Sequence, residues 1–312
     1  MNATPSPRPR RPFGRTGLLV DPICIGTAEL GDSRKSLGYS IDEEQALATA
    51  RAIFAGPFNF VDTAGLYGDG ESERRLGIAL RERGGLPPGF VLSTKTGRDP
   101  KTDGYFDADG IRRGIERSLR LLGLDRLQLV FLHDPRFSTI ETVMAPGGPF
   151  AALARLRDEG VIQHLGVAEG DVHLLVRYIE TGAFEAVITH NRYTLIGQEA
   201  ESVIEAAWSR GLAVMNAAPY ASGILAKGPA AFPRYQYQPA SAAVLEKARR
   251  LEAICRAHGV PLAAAALQFS LRDPRLSATD VGMSYPERLQ QTLELAKWPI
   301  PPALWEEVAA LD

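Results

Sequence analysis

The feature that most constrains this chain is an alternation of strand and helix patterns that starts at residue 22 and repeats through residue 311. Short apolar runs at 22–26, 58–62, 90–95, 127–133, 164–168, 186–190, 213–217 and 279–283 read as strands. Stretches with helical spacing lie between them. Ser40 with Glu43 reads as a capping box before Ala46, Leu47, Ala50, Ile53 and Phe54. Further helices are expected at 72–81, 109–122 (stopped by Gly123), 150–159 (stopped by Gly160), 171–180, 199–210, 286–295 and 301–311. The Ala-rich stretch 240–271 reads as one helical region interrupted at Gly259-Val260-Pro261. Strands that alternate with helices form parallel sheets. Eight such units predict an α/β fold, a (β/α)8 TIM barrel, opened by an N-terminal β-hairpin at 13–20 that turns at Arg15-Thr16-Gly17. An open doubly wound sheet is the alternative, and the lack of an early GxGxxG counts against its dinucleotide-binding form. Residues 1–11, rich in Pro and Arg without apolar periodicity, read as a disordered tail, and 12–312 as a single barrel domain.

A length of 312 residues is ordinary for one barrel. The formal net charge of −2 gives no reason to expect a nucleic acid or an anionic membrane as partner. Cys24 and Cys255, the two cysteines, have no metal-ligand spacing and sit in apolar segments, which suggests buried thiols in a reduced compartment. Arg10-Arg11-Pro12-Phe13 looks superficially like a twin-arginine signal, but no apolar region or small-residue cleavage site follows it. The expectation is a cytoplasmic protein, a monomer or weak homo-oligomer, acting on a small molecule with no membrane or metal involved.

The chemistry collects at strand ends. Asp62, Lys95 and His133 each close a predicted strand, and Tyr67 follows Asp62 by five residues in a glycine-rich loop. In a barrel of this kind the C-terminal strand ends form the active-site face. A carboxylate, a phenol, an ammonium and an imidazole would meet there, a set suited to moving a proton at a carbonyl. Taken singly each has a plainer explanation: Asp62 as a loop cap, Tyr67 as a half-buried aromatic, Lys95 as a solvated cation, His133 as a structural histidine beside Pro135.

The string Asp62-Thr63-Ala64-Gly65-Leu66-Tyr67-Gly68-Asp69-Gly70-Glu71-Ser72-Glu73, followed by Leu76-Gly77 and Ala79-Leu80, resembles the signature of the aldo-keto reductases. The resemblance runs from Phe13-Gly14-Arg15-Thr16-Gly17 to the loop 282–288. Within the family it is most similar to the sugar 1-dehydrogenase branch, which includes L-fucose (D-threo-aldose) and L-galactose dehydrogenases, with a pyridoxal dehydrogenase nearby. Asp125-Arg126, His133-Asp134-Pro135, Asn191-Arg192-Tyr193-Thr194-Leu195, Ser222-Gly223-Ile224-Leu225-Ala226 and 235–240 carry that narrower likeness.

The resemblance implies an NAD(P)-dependent oxidoreductase with Tyr67 as proton relay, Lys95 lowering its barrier, Asp62 fixing Lys95, and His133 orienting the substrate oxygen. It also implies that NAD or NADP lies extended across the barrel mouth. Gly26 and Thr27 would flank it, Asn191 or His190 would bond its carboxamide, and Tyr220 would stack on its ring. Ser222, Gly223 and Leu225 would lie at the pyrophosphate, and Gly282, Met283, Ser284 and Arg288 at the adenosine phosphate, where a helix N-terminus suits an anion. Two departures stand out. Ala168-Glu169 replaces the family's Ser-Asn after the fifth strand, and Met283 stands where a cation is common, leaving Arg288 and a lean toward NAD.

The expected activity is oxidation of an aldose at C1 to a lactone. The alternatives are a general aldehyde or carbonyl reductase, a pyridoxal-type dehydrogenase, or, outside enzymes, a dinucleotide-binding regulatory subunit. Arg136, Tyr105 and Tyr237 are candidate polar groups of the substrate pocket, and the loops 134–149 and 218–239 are expected to set specificity.

Overall fold

The computed structural model describes residues 9–31, 40–97 and 107–311. Strands β1 (Arg11–Pro12) and β2 (Leu19–Val20) form an antiparallel hairpin. Then β3 (Ile23–Gly26), β4 (Phe60–Asp62), β5 (Val91–Gly97), β6 (Leu127–His133), β7 (Ile162–Ala168), β8 (Ala186–His190) and β9 (Ala213–Ala217) follow in chain order. A small hairpin, β10 (Arg234–Tyr235) with β11 (Gln238–Pro239), precedes β12 (Ala278–Gly282). Strands β3 to β9 and β12 close into a parallel barrel, β12 pairing with both β3 and β9. The closed barrel is the expected fold, and an open sheet is excluded.

Two apolar shells explain why these runs are strands. Side chains alternate across a strand. In β6, Val130 and Leu132 pack outward against the helices, while Leu129 and Phe131 fill the barrel. In β3, Ile23 and Ile25 face out and Cys24 faces in. Phe13 and Val20 of the N-terminal hairpin join the inner shell, with the Phe13 ring 5.4 Å from that of Phe60 and edge-on to it. Asn59 ties the hairpin down: its Oδ1 accepts from the Asp21 N–H at 2.7 Å and its Nδ2 donates to the Leu19 and Gly89 carbonyls.

The structure refines several boundaries. Arg11, which the composition places in a disordered tail, starts β1 and donates to the Leu276 and Leu271 carbonyls, both at 3.0 Å. Residues 1–8 lie outside the described residues. The first described helix, Glu43–Ala55, is capped by Asp42, whose side chain accepts from the Gln45 N–H, and Ser40 is not its cap. The carboxylate sits one residue before the helix, the position that reaches a free N–H of the first turn. The region 240–271 is two helices, Ala242–Ala257 and Leu262–Leu271, broken where Gly259 adopts φ 66° ahead of Pro261.

Helix Glu71–Arg83 packs on helix Ala108–Leu122 through Gly77, where an added Cβ would lie 1.9 Å from the Leu121 carbonyl oxygen. An exposed helical Gly→Ala change usually stabilises. Here the obstacle is backbone, so Gly77→Ala is expected to lose about 1–3 kcal/mol as an overpacked contact. A urea midpoint unchanged or raised in this variant would show that the two helices separate freely.

Candidate active site

The inward alternation of the barrel continues past its apolar core into a polar layer at the C-terminal strand ends. Phe60 is followed by Asp62, Val91 by Ser93 and Lys95, Phe131 by His133, Ile188 by His190, and Ala278 by Asp280. Each polar residue therefore faces the barrel axis because an apolar residue two positions earlier does.

Lys95 is the hub. Its ammonium pairs with the Asp62 carboxylate and donates to the Thr63 carbonyl at 2.9 Å and to the Tyr67 phenol oxygen at 3.1 Å. Asp62 also accepts from the Ser93 hydroxyl at 2.6 Å. Burial would lower the lysine, but the Asp62 carboxylate above all holds it above its ordinary value. Burial pushes the Asp62 carboxyl up, with Lys95 and Ser93 opposing. The geometry, an ammonium against a carboxylate that also accepts from a hydroxyl, is that of a charge-assisted pair.

Tyr67 is placed by its loop. Gly68 (φ 62°) touches Gly31 so closely that an added Cβ would be 1.6 Å from the Gly31 carbonyl oxygen, which excludes any side chain there. The Ser72 hydroxyl donates to the Thr27 carbonyl at 2.8 Å and bonds the Thr63 hydroxyl at 2.9 Å. Glu73, fully buried, accepts from the Thr94 hydroxyl at 2.6 Å. These contacts give a physical reason for the polar and glycine positions of the 62–73 string: they fix the loop against β3 and β5.

Burial raises the Tyr67 phenol above its ordinary value, and Lys95 pulls the other way without overcoming it. The sequence reading has Lys95 activate the phenol, whereas the net effect at this site is a raised Tyr67. With the ammonium donating to its oxygen, the Tyr67 hydroxyl is left to donate its proton into the cavity. The His133 ring stands edge-on to Tyr67, centroids 6.1 Å apart. Burial depresses His133 to about 3 and His190 to about 4, so both imidazoles are neutral at physiological pH. A neutral phenol and a neutral imidazole facing one space can stabilise a developing alkoxide.

That space is a cavity of about 490 Å³. Gly26, Thr27, Tyr67, Lys95, His133, Tyr220, Ser222, Gly223, Gly282 and Arg288 line it, as do Arg136 and Tyr237. Asp62 sits behind Lys95, and Asn191, Leu225, Met283 and Ser284 are not on its wall. Leu225 and Met283 are fully buried in the outer core, and the Met283 N–H already donates to the Gly26 carbonyl at 3.1 Å. Asn191 accepts from the Ser222 hydroxyl at 3.1 Å, and the Ser284 carbonyl accepts from Gln45. Tyr105 lies outside the described residues.

Glu169 is fully buried, and its carboxylate accepts from the Arg136, Gly170 and Asp171 N–H groups while pairing with the Arg136 guanidinium at 2.9 Å. It thus braces the loop after β7. Small β10–β11 closes over the cavity through Gln236 (φ 49°) and Tyr237 (φ 66°), two residues in the left-handed conformation. The Tyr237 N–H donates to the Ser222 hydroxyl at 3.0 Å.

Sequence reasoning missed Glu29 and Asp280. Glu29 Oε2, His190 Nδ1, Tyr220 Oη and Asp280 Oδ1 are buried on this wall without a hydrogen-bond partner among the described residues. Buried polar atoms are ordinarily paired, so the cavity is built for a ligand that carries donors and acceptors along its length. A nicotinamide dinucleotide fits that requirement, with Tyr220 offering a ring face and the left-handed Ser222-Gly223 turn offering backbone at the mouth. The signal for Asp280 was its place two residues after inward-facing Ala278.

Residues 22–312 match the Aldo/keto reductase family. A D-threo-aldose 1-dehydrogenase from Pseudomonas sp is 32% identical over 94% of this chain and 94% of its own. A pyridoxal 4-dehydrogenase from Microbacterium luteolum is 30% identical over 95% of each. An L-galactose dehydrogenase from Arabidopsis thaliana is 27% identical, covering 91% of this chain and 86% of its own. In three dimensions, an aldo-keto reductase from Bacillus halodurans in its holo form superposes with a TM-score of 0.76 at 20% identity, over 97% of this chain and 96% of that one.

Proposed function

This chain belongs to the aldo/keto reductase family, and from that premise we propose that it transfers hydride between a nicotinamide dinucleotide and C1 of an aldose, oxidising the sugar to its lactone. The observation that carries the reading is the Lys95–Tyr67 contact at 3.1 Å with neutral His133 facing the same cavity. The cofactor, when bound, supplies hydride acceptance or donation. The protein's share is position and proton. In its phenolate form, stabilised by Lys95, Tyr67 would accept the hydroxyl proton of the sugar and become the neutral phenol. Asp62 keeps Lys95 in place. His133 donates to the substrate oxygen and sets which face of the carbon meets the cofactor. Arg136, held by Asp134 at 2.7 Å, and Tyr237 supply polar walls for the remaining hydroxyls.

Support for the aldose class comes from this polar wall and from the relatives named as aldose and galactose dehydrogenases. NAD is the favoured cofactor, with NADP as a second. Met283 is apolar and buried in the core, so the loop after β12 offers a 2′-phosphate no cation there, and Arg288 leans toward the Tyr285 ring 5.8 Å away. A second reading, reduction of a small aldehyde, is favoured by the raised Tyr67, which holds its proton ready to give.

The test is an initial-rate assay at the reduced-nicotinamide absorbance with L-fucose, L-galactose and D-arabinose, each with NAD and NADP, and in reverse with simple aldehydes and pyridoxal. Cofactor reduction by a sugar supports the first reading. Silence with all three sugars alongside aldehyde turnover moves the function to the second.

The raised Tyr67 also fixes a pH dependence. Oxidation needs the phenolate, whose fraction below its pKa grows about tenfold per pH unit. The oxidative kcat/KM is therefore expected to climb steeply between about pH 7 and 9, while the reductive rate stays nearly level. A level oxidative profile would rule out Tyr67 as proton acceptor.

A further inference from the structure

Asp280 is the buried acid that the proposed mechanism leaves unused. Asp280 is 8% exposed and lines the cavity, and its Oδ1 has no hydrogen-bond partner among the described residues. It lies over Gly26, where an added Cβ would be 2.5 Å from Oδ1. No metal-binding cluster of His, Cys, Asp or Glu occurs among the described residues to account for it.

The ionisable groups around Asp280 leave it without a counter-charge. In the barrel it is in register with Cys24 of β3 on one side and Ala217 of β9 on the other. Asp62 of β4 and Glu29 of the turn after β3 disfavour its charge, and Lys95 of β5 favours it. Tyr67 and Tyr237 feel it across the cavity. Lys95 is already paired with Asp62. A second carboxylate here would be an unpaired buried charge, a costly state that a carboxyl escapes by keeping its proton.

We propose that Asp280 is the counter-ion of the oxidised nicotinamide ring, making this site discriminate between the cationic oxidised cofactor and the neutral reduced one. The inference rests on the nicotinamide reading above. A ring that reacts beside Tyr67 must enter the cavity that Asp280 lines, and Asp280, which lies over Gly26, is near enough to Lys95 and Tyr67 to act on both. When the cationic ring binds, the Asp280 carboxyl loses its proton to solvent and the carboxylate faces the ring. One positive charge enters and one proton leaves. The neutral reduced ring asks for no such change.

Calorimetric titration of the full chain with NAD and with its reduced form, each in two buffers of different ionisation enthalpy near pH 7, counts the protons released. The expected result is up to one proton released on binding of oxidised NAD beyond that for the reduced form. Asp280→Asn should abolish the excess and weaken oxidised binding by about tenfold or more. Its affinity for the reduced form should be unchanged, which also reports an intact site. Asp280→Ser serves if the Asn variant does not fold. Equal proton release for both forms, or an excess that survives in the variants, would overturn the counter-ion role. Failure of both NAD and NADP to bind in either oxidation state would instead overturn the nicotinamide reading beneath it.

Discussion

Tyr67→Phe is expected to lower turnover by about a thousandfold, within the range that a positioned acid–base group supplies, while binding of the nicotinamide cofactor stays near its original strength. The variant removes one oxygen. The ring keeps its edge-on packing against His133, and the loop that carries it is held by Gly68, Ser72 and Glu73 rather than by the hydroxyl. Lys95 keeps its bonds to Asp62 and to the Thr63 carbonyl. What disappears is the group proposed to exchange a proton with the substrate oxygen. Steady-state kinetics and cofactor fluorescence titration separate the two effects. Turnover within a few-fold of the original would remove Tyr67 from the mechanism, and loss of cofactor binding would mean that its role is structural.

Lys95→Met is expected to be costly twice, in activity and in stability. It takes the ammonium from a fully buried carboxylate that, among the described residues, has the Ser93 hydroxyl as its one further side-chain partner. Removing one member of a buried pair costs roughly 3–5 kcal/mol, because the other is left uncompensated. The sign with pH follows. Without Lys95, burial outweighs the Ser93 hydrogen bond at Asp62 and raises its folded pKa above that of the unfolded chain. In the variant, that group's contribution to stability is then present at low pH and lost as pH rises through the raised pKa. Urea denaturation at about pH 5 and pH 8 should show a larger deficit at the higher pH. Adding Asp62→Asn should recover much of the loss, since a neutral pair leaves no stranded charge. A single variant that loses less than about 1 kcal/mol, or a double variant no better than the single, would contradict a charged buried pair.

How much of this was legible in advance differs from residue to residue. Asp62, Lys95 and His133 could be read as strand-end residues because each ends an apolar run, and alternation fixes the direction of every second side chain. The structure aims all three at the barrel axis. Tyr67 came from the glycine-rich string, and the Gly31–Gly68 contact shows why those glycines are there. Asn191, Leu225, Met283 and Ser284 were drawn from likeness to relatives. The structure turns them into the core or into hydrogen bonds with their neighbours, away from the cavity wall. Asp280 obeyed the same alternation as the others, yet a lone acid in a short strand carries no local sign of what stands opposite.

The sequence by itself determined the order of strands and helices, their approximate limits, and which strand ends carry polar groups, because periodicity and capping are local properties of the chain. Only the tertiary structure decided the electrostatics. Strand closure puts β12 beside β3 and brings Asp280 to the cavity near the Asp62–Lys95 pair, although they are far apart in the chain. Burial at that point sets the protonation of Tyr67, His133 and His190, and it depends on everything packed around them rather than on their neighbours in sequence.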